Sequence, residues 1–126
     1  MAFESPAKSY EEKRLNIGDM VRLSAHSTYL IRSASNYPDV GIVKGTVLTV
    51  DRSLTPQHGN VIITEFNDEL VLRRLLLIPS PALQELTGSG ALTELGDDFD
   101  LSVWGVVSYA VTDLAGLGFS HTAATD

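Results

Sequence analysis

The chain contains Val61-Ile-Ile-Thr-Glu-Phe66, then Asn67-Asp68, then Leu70-Val-Leu-Arg-Arg-Leu-Leu-Leu-Ile78, and this stretch decides the fold. Both outer runs are rich in β-branched and apolar residues, which favours strands. Asn and Asp tolerate the positive φ angles that a tight hairpin turn requires. The sequence therefore predicts an antiparallel hairpin here, whose second strand ends at Pro79-Ser-Pro81.

Strand-like runs also lie on either side of this hairpin. Val47-Leu-Thr-Val50 precedes it and Val103-Trp-Gly-Val-Val-Ser-Tyr-Ala-Val111 follows it, while helix signals are weak throughout. Between the hairpin and Val103, the glycines of Gly88-Ser-Gly90 and Gly96-Asp-Asp98 predict a loop-rich region that holds one short strand or turn. We therefore expect a mostly β fold.

The length of 126 residues allows one compact domain. Residues 1–28 have little periodicity and are predicted to form an extended N-terminal arm. Residues 29–111 are predicted to form the β domain. Residues 112–126 are small and polar and are predicted to be a flexible tail.

Composition excludes several classes of function. Nine basic residues stand against sixteen acidic ones, for a net charge of −7, which argues against direct binding to a nucleic-acid backbone. No apolar run approaches the roughly 18 residues of a membrane span, and the polar N-terminus does not resemble a signal peptide. A cytoplasmic protein is therefore expected. The absence of cysteine excludes disulfides and thiolate metal sites.

Polar residues that could form a metal or acid site are predicted to be structural. His58 precedes Gly59 and is interpreted as a turn histidine, since His26 and His121 share no ligand spacing with it. Asp97, Asp98 and Asp100 are interpreted as a solvated acidic loop. No cofactor is predicted.

Three motifs together point to a family. Gly45-Thr-Val-Leu-Thr-Val-Asp-Arg52, His58-Gly59 and Leu70-Val-Leu-Arg-Arg-Leu75 resemble the catalytic half of the UmuD and LexA-type self-cleaving serine peptidases. The resemblance extends from Phe3 to Val107 and implies a compact, mostly β fold that forms homodimers through its C-terminal strands. The apolar strand at Val103 to Val111 also favours a dimer by its own composition.

The predicted interface residues are Val103, Trp104, Val106, Val107 and Tyr109. For Trp104, core packing is the first interpretation and an interface anchor is the second.

The catalytic pair of this family is expected to be degenerate here. The family uses a serine nucleophile and a lysine base, and the lysine position matches Arg73, whose guanidinium stays protonated. The nucleophile position falls on Asn36 or Tyr37, because the segment is one residue shorter than the family pattern. Arg73 is interpreted as a salt-bridged residue at a disused site, or as a binder of a partner's carboxylate.

Ser33 and Ser35 are the nearest substitute nucleophiles. Each would need a new base, and Lys44 follows in a predicted loop rather than on the strand that carries the family lysine. Tyr37-Pro38 is expected to stiffen the loop in place of a small nucleophile.

The family self-cleaves just before a segment like Ser5-Pro6-Ala7. Met1-Ala2-Phe3 lacks the cleaved bond, so the chain resembles an already processed, UmuD-prime-like form. This resemblance implies a catalytically inactive accessory subunit that dimerises and binds a translesion DNA polymerase in SOS mutagenic repair.

Other functions stay open. One is a decoy that forms heterodimers with an active UmuD- or LexA-like relative, and another is a still-active self-cleaving peptidase. The dimerisation domain of a repressor is a third, and a recombinase filament is a further possible partner.

Overall fold

The computed structural model describes residues 16–96 and 102–119. These residues form a short helix and seven strands. In chain order they are α1 (Ile17–Met20), β1 (Thr28–Arg32), β2 (Val47–Asp51), β3 (Val61–Phe66), β4 (Glu69–Leu76), β5 (Ala82–Gln84), β6 (Leu92–Glu94) and β7 (Val103–Val111). A 3₁₀ turn covers Pro38–Val40. The expected mostly β fold is confirmed.

All seven strands belong to one antiparallel sheet in the order β1-β2-β7-β3-β4-β5-β6. The C-terminal strand β7 lies between β2 and β3, so it joins the two halves of the sheet. Its register shifts once against each neighbour, at Thr49/Val50 and at Ile63/Thr64. Such irregularities bend a strand and change which side chains share a face.

The predicted hairpin is present. Phe66 pairs with Glu69, and Asn67 and Asp68 form the two-residue turn with φ angles of 53° and 65°. Both angles are positive, as the primed turns of tight hairpins require. The strand that follows ends at Leu76, just before the proline-containing segment.

The structure contains β1, which was not predicted, and one short strand more than the region before β7 was predicted to hold. β1 is an edge strand that pairs with β2 from Thr28↔Asp51 to Arg32↔Val47. It begins inside the stretch that was predicted to be an arm. β5 and β6 occupy the region for which one short strand or turn was predicted, and each has three residues.

Apolar clusters lie on both faces of the sheet, since the successive residues Ile62 and Ile63 point in opposite directions. Ile63 belongs to one cluster, with Ile42, Leu48 and Val50. Ile62 belongs to the other, with Leu75, Leu83 and Val106. Every residue of β2 is buried, as expected for an inner strand covered on both faces.

The chain ends of the described part make defined contacts. Asn16 caps α1 by accepting a 2.9 Å hydrogen bond from the Gly18 backbone N–H. The backbone N–H of Arg22 donates to the Tyr109 hydroxyl at 3.1 Å. At the other end, the hydroxyls of Thr112 and Thr46 lie 2.9 Å apart, and the Arg32 guanidinium lies 5.8 Å from the centre of the Phe119 ring.

Residues 112–119 thus make defined contacts, and the flexibility of the tail stays a prediction. Residues 1–15, 97–101 and 120–126 lie outside the described part of the chain. The predictions for Met1-Ala2-Phe3, for Asp97, Asp98 and Asp100, and for His121 fall there. In the described ranges, no helix is long and apolar enough to cross a membrane.

Candidate functional site

Tyr37 occupies one of the two places predicted for the family nucleophile. Its backbone N–H donates to the carbonyl oxygen of Ile42 at 2.7 Å, and the N–H of Ile42 donates back at 3.1 Å. Gly41, with φ of 74°, closes the turn between them in a conformation that favours glycine. The half-buried Tyr37 side chain packs against the core cluster of Ile42. Tyr37 is therefore part of the packing that fixes this loop.

Asn36 occupies the alternative nucleophile position and also holds the loop together. Its side-chain oxygen accepts a 2.7 Å hydrogen bond from the backbone N–H of Lys44. This bond ties the two sides of the 36–44 loop across the 3₁₀ turn. An amide carbonyl in this role has no nucleophilic function.

Arg73 and Arg74 make different contacts from neighbouring positions on β4. Arg73 donates from Nη1 to the Leu72 carbonyl oxygen at 2.8 Å, and its Nη2 lies 4.0 Å from a carboxylate oxygen of Glu85. Arg74 donates from Nη1 to the carbonyl oxygen of Gly59 at 2.9 Å. The contact with Glu85 fits the interpretation of Arg73 as a salt-bridged residue.

The loop and β4 meet at a small cavity of about 180 Å³. Asp39 of the 3₁₀ turn lines it, together with Arg74 of β4, Gln84 at the end of β5 and Glu85 just after β5. The remaining lining residues are Leu86, Gly88, Ser89 and Gly90. Arg74, rather than Arg73, is thus the arginine that lines this cavity beside the loop. The guanidinium and the two carboxylates form an ionic site with hydrogen-bonding capacity, and Ser89 adds a hydroxyl group to the lining residues.

The sequence alone could not show which of Arg73 and Arg74 lines the cavity beside the loop. Adjacent strand residues point to opposite faces, and the choice depends on the β4–β5 register, in which Arg74 is opposite Gln84.

Ser33, one of the substitute nucleophiles, is buried and already engaged. Its hydroxyl donates a 2.6 Å hydrogen bond to the Ser35 carbonyl oxygen. Two backbone hydrogen bonds extend the β1–β2 ladder by one residue. Ser33 N–H donates to the Thr46 carbonyl oxygen, and Gly45 N–H donates to the Ser33 carbonyl oxygen. This extension brings Ser33 and Lys44 to the wall of one cavity of about 380 Å³.

Lys44 is therefore nearer to a serine than its sequence position indicated. The lysine is exposed, so burial does not supply the desolvation that activates a lysine base. Ser35 is also exposed, and it does not line this cavity.

The predicted interface residues on β7 differ in exposure. Val106 is only 4% exposed and packs with Ile62, so little of its side chain is available to a second copy. Val103 packs against the same cluster. Val107 and Trp104 pack against the other cluster while staying partly exposed, and Tyr109 is also partly exposed.

Trp104 makes the core contacts of the first interpretation, and its role as an interface anchor stays a prediction. Its ring packs against the core. The Tyr29 ring centre lies 5.3 Å from the Trp104 ring centre, and the central carbon of the Arg52 guanidinium lies 4.6 Å from it. Aromatic rings and arginine are frequent in protein interfaces.

His58 has a structural contact that its turn position suggested. Its Nδ1 accepts hydrogen bonds from the backbone N–H groups of Leu77 at 2.8 Å and Ile78 at 3.3 Å. The described part of the chain contains no group of three or more residues suited to holding a metal ion.

Two carboxylates carry a shifted pKa. Hydrogen bonds from the Ser53 hydroxyl and backbone N–H hold the pKa of Asp51 below its ordinary value. Backbone N–H groups, chiefly those of Gly118 and Leu117, lower the pKa of Asp113 in the same way. Both side chains are anionic acceptors that fix turns.

Comparison with known proteins finds several proteins of similar sequence. The protein MucA of Salmonella typhimurium is 34% identical over 113 residues, which is 88% of this chain and 77% of MucA. The protein ImpA of Shigella flexneri is 33% identical over 110 residues, 86% of this chain and 75% of ImpA. SamA of Salmonella typhimurium is 29% identical over 82 residues, 64% of this chain and 59% of SamA. No family model matches the chain.

Proposed function

This chain belongs to the UmuD-like family of SOS mutagenesis and translesion synthesis proteins, and from that premise we propose that it acts as an accessory subunit without peptidase activity. In this proposal it forms a homodimer and binds the catalytic subunit of a translesion DNA polymerase. Its contribution is binding, and no chemical step is assigned to it.

One observation carries the loss of peptidase activity. Of the two candidate nucleophile positions, Tyr37 packs against the core and Asn36 binds the Lys44 backbone. Arg73 stands where the resemblance places the lysine base. Peptide cleavage by this family's mechanism needs a hydroxyl nucleophile next to a group that accepts its proton. A guanidinium keeps its proton, so Arg73 cannot replace the lysine.

The substitute serines do not restore this chemistry. The Ser33 hydroxyl is buried against the Ser35 carbonyl oxygen, and the nearby Lys44 is solvated. We therefore expect no reaction with a serine-directed fluorophosphonate probe. A dyad peptidase serves as the positive control, and labelling that disappears in Ser33→Ala or Ser35→Ala would overturn this part of the proposal.

Acidity supports a protein partner rather than direct contact with DNA. With a net charge of −7, the chain lacks the excess of cations that neutralises phosphates. Its link to damaged DNA would therefore pass through the polymerase.

The experiment that tests the accessory role is light scattering with size-exclusion chromatography. The chain is run alone and then with the catalytic polymerase subunit from the same source. We expect a dimer that moves into a stable complex of larger mass. A dimer that never associates with the polymerase would contradict the accessory role while leaving dimerisation intact.

A further inference from the structure

Two cationic side chains line two adjoining cavities at the end of β1. Arg32, the last residue of β1, and Lys44 both line the cavity of about 380 Å³. The same two residues, together with Gly45, also line a second cavity of about 260 Å³. The two cavities lie next to each other because they share these three residues. We call the cavity of about 380 Å³ the Arg32 cavity.

The charge of Arg32 is not neutralised by any described residue. The ion pair of the described part joins Arg73 to Glu85, so neither Arg32 nor Lys44 has a carboxylate partner there. The Nε of Arg32 is buried and has no hydrogen-bond acceptor among the described residues. Buried donors without an acceptor are rare, because removing them from water costs free energy that no hydrogen bond returns. The guanidinium therefore has hydrogen-bonding capacity that a ligand in the cavity can use.

The remaining residues of this cavity add no charge. They are Ser33, Ala34 and Gly45. The Ser33 hydroxyl is already engaged, since it donates to the Ser35 carbonyl oxygen at 2.6 Å. A Cβ placed on Gly45 would meet no atom within 4 Å, so there is room beside the backbone at this point of the wall. The side chains of the cavity thus offer two cations and no carboxylate, which suits an anionic ligand.

Local contacts hold the two cations in position. The backbone N–H of Lys44 donates to the side-chain oxygen of Asn36 at 2.7 Å, which fixes the point from which the lysine side chain extends. The Arg32 guanidinium lies 5.8 Å from the centre of the Phe119 ring, and Phe119 lines the second cavity. Groups that are positioned before binding lose less conformational entropy when a ligand arrives.

One carboxylate lies in the second cavity. Asp113 lines that cavity but not the Arg32 cavity, and its oxygens accept hydrogen bonds from the backbone N–H groups of Gly116, Leu117 and Gly118. Two cations against one carboxylate leave one positive charge across the two cavities. This balance suits a ligand group with a single negative charge better than a polyphosphate.

We propose that the Arg32 cavity binds a side-chain carboxylate of an acidic peptide segment from another protein. The planar guanidinium of Arg32 binds the two carboxylate oxygens through N–H groups, and Lys44 adds a second charge. This binding site goes beyond the accessory role proposed above and does not depend on it.

The position of the cavity supports a peptide as the source of the carboxylate. β1 is an edge strand with one neighbour, β2, among the described strands. The outer backbone groups of an edge strand can pair with an extended peptide, and Arg32 lies at the end of this edge. Nucleic acid is the less suitable source of an anion, because the net charge of −7 opposes a chain of phosphates.

Peptide binding tests the proposal on the purified full chain. The probe is a fluorescein-labelled peptide of alternating threonine and glutamate, and the control peptide has glutamine in place of each glutamate. We expect fluorescence anisotropy to give a dissociation constant at least about tenfold lower for the glutamate peptide. In nitrogen–proton NMR spectra, the glutamate peptide should shift the amide signals of Ala34, Lys44 and Gly45. Equal binding of the two peptides would overturn the proposal.

Charge-removing variants locate the site. Arg32→Gln is expected to raise the dissociation constant of the glutamate peptide at least about fivefold, and Lys44→Gln about threefold, because the exposed lysine is more strongly screened by solvent. Lys44→Arg keeps the charge and should retain most of the affinity. Arg22→Gln is the matched control, since it removes the same charge from an exposed residue that lines a different cavity.

Fluorescence of Trp104, the one tryptophan, checks that each variant folds. Lys44 is exposed, so Lys44→Gln still tests the site if Arg32→Gln does not fold. Equal losses of peptide affinity in Lys44→Gln and Arg22→Gln would show that overall charge rather than this cavity attracts the peptide, and would overturn the proposal.

Two further probes distinguish other sources of the anion. If sodium acetate shifts the Lys44 and Gly45 amide signals with the same dissociation constant as the glutamate peptide, the ligand is a free carboxylate and the peptide is the wrong source. If a single-stranded oligonucleotide binds there more tightly than the peptide, phosphates occupy the cavity and the proposal is overturned. These measurements involve no polymerase, so their failure leaves the accessory role untouched, and failure of the accessory role leaves them valid.

Discussion

The guanidinium of Arg52 lies over the Trp104 ring, with its central carbon 4.6 Å from the ring centre, while its Nε donates a 2.8 Å hydrogen bond to the Trp104 carbonyl oxygen. One side chain thus holds both the ring and the backbone of a β7 residue. The contact links the end of β2 to β7 at the side of the sheet where Tyr29 also meets the ring.

Arg52→Ala is expected to lower the free energy of unfolding by about 1 kcal/mol, through loss of the cation–π contact and the hydrogen bond. Arg52→Lys keeps the charge without the planar guanidinium and should lose less. Urea unfolding followed by Trp104 fluorescence measures both variants at one protein concentration. Arg22→Ala is the control and should change stability little, because Arg22 is exposed and its hydrogen bond within the described residues comes from its backbone N–H. Equal losses in Arg52→Ala and Arg22→Ala would contradict the prediction.

Gly105 on β7 has no room for a side chain. A Cβ at this position would lie 2.6 Å from Val50 Cγ1, inside the buried β2 strand. Gly105→Ala is therefore expected to destabilise the fold by roughly 1–3 kcal/mol. Gly96→Ala is the matched control, because a Cβ there meets no atom within 4 Å.

The double variant Gly105→Ala/Val50→Ala identifies the cause of the Gly105 effect. Val50→Ala removes the methyl group that the new Cβ would meet, so the combined loss should be smaller than the sum of the single losses. Urea unfolding of the wild type, the two single variants and the double variant gives the comparison. Strictly additive losses would show that contact with the Val50 side chain does not cause the destabilisation.

Ser53 is expected to control the acid sensitivity of Asp51. Its hydroxyl, 2.6 Å from the Asp51 carboxylate, is the largest cause of the lowered pKa. Because the folded-state pKa is below the unfolded one, this stabilisation is complete above the unfolded pKa, near 4, and decreases as the pH falls toward the folded pKa.

Ser53→Ala should therefore raise the pKa of Asp51 and destabilise the protein at neutral pH, with a smaller difference from wild type in strong acid. Carbon NMR titration of the carboxyl group measures the pKa directly. Ser27→Ala, which removes a weaker hydrogen-bond contribution than Ser53 makes, should move the pKa of Asp51 less. An unchanged Asp51 titration in Ser53→Ala would refute the assignment.

His58 is expected to act as a backbone acceptor. His58→Phe removes the Nδ1 that accepts from Leu77 N–H at 2.8 Å, and should destabilise the protein by about 1 kcal/mol. Amide hydrogen exchange at Leu77 should become faster in this variant. His58→Asn, which can place an oxygen acceptor near the same site, is expected to retain most of the protection. Fast exchange in the wild type would show that the hydrogen bond does not protect this amide.

The parts of the fold that the sequence predicted are those with strong local signals. The β3–β4 hairpin combines two long apolar runs with two residues that accept positive φ, so both the strands and the turn could be located. β1, by contrast, is a five-residue edge strand whose pairing with β2 depends on contacts about twenty residues away. β5 and β6 are too short for a periodic pattern, and pairing with β4 rather than local propensity forms them.

The sequence located the residues of the candidate site, but it did not show which of their side chains lie together. The motifs indicated Asn36 or Tyr37 for the altered nucleophile position and Arg73 for the altered base position. They could not show that Arg74 lines the cavity beside Asp39, since that depends on register. They also could not show that Lys44 and Ser33 share a cavity, because the short extension of the β1–β2 ladder brings them together. The predicted flexible tail had a composition typical of mobility, yet Asp113 organises residues 113–118 through a local contact.

Replacing Asp68 in the hairpin turn by glycine or by alanine is expected to change the free energy of unfolding in opposite directions. Its φ of 65° is a conformation that costs most side chains free energy but that glycine adopts readily. Asp68→Gly creates the Asn-Gly pair preferred in this turn and should raise the free energy of unfolding by about 0.5 kcal/mol. Asp68→Ala keeps a Cβ and loses the polar side chain that tolerates this conformation, so it should lower stability by a similar amount. Urea unfolding distinguishes the two, and equal shifts in both variants would show that the lost carboxylate, not the backbone angle, decides the stability of the turn.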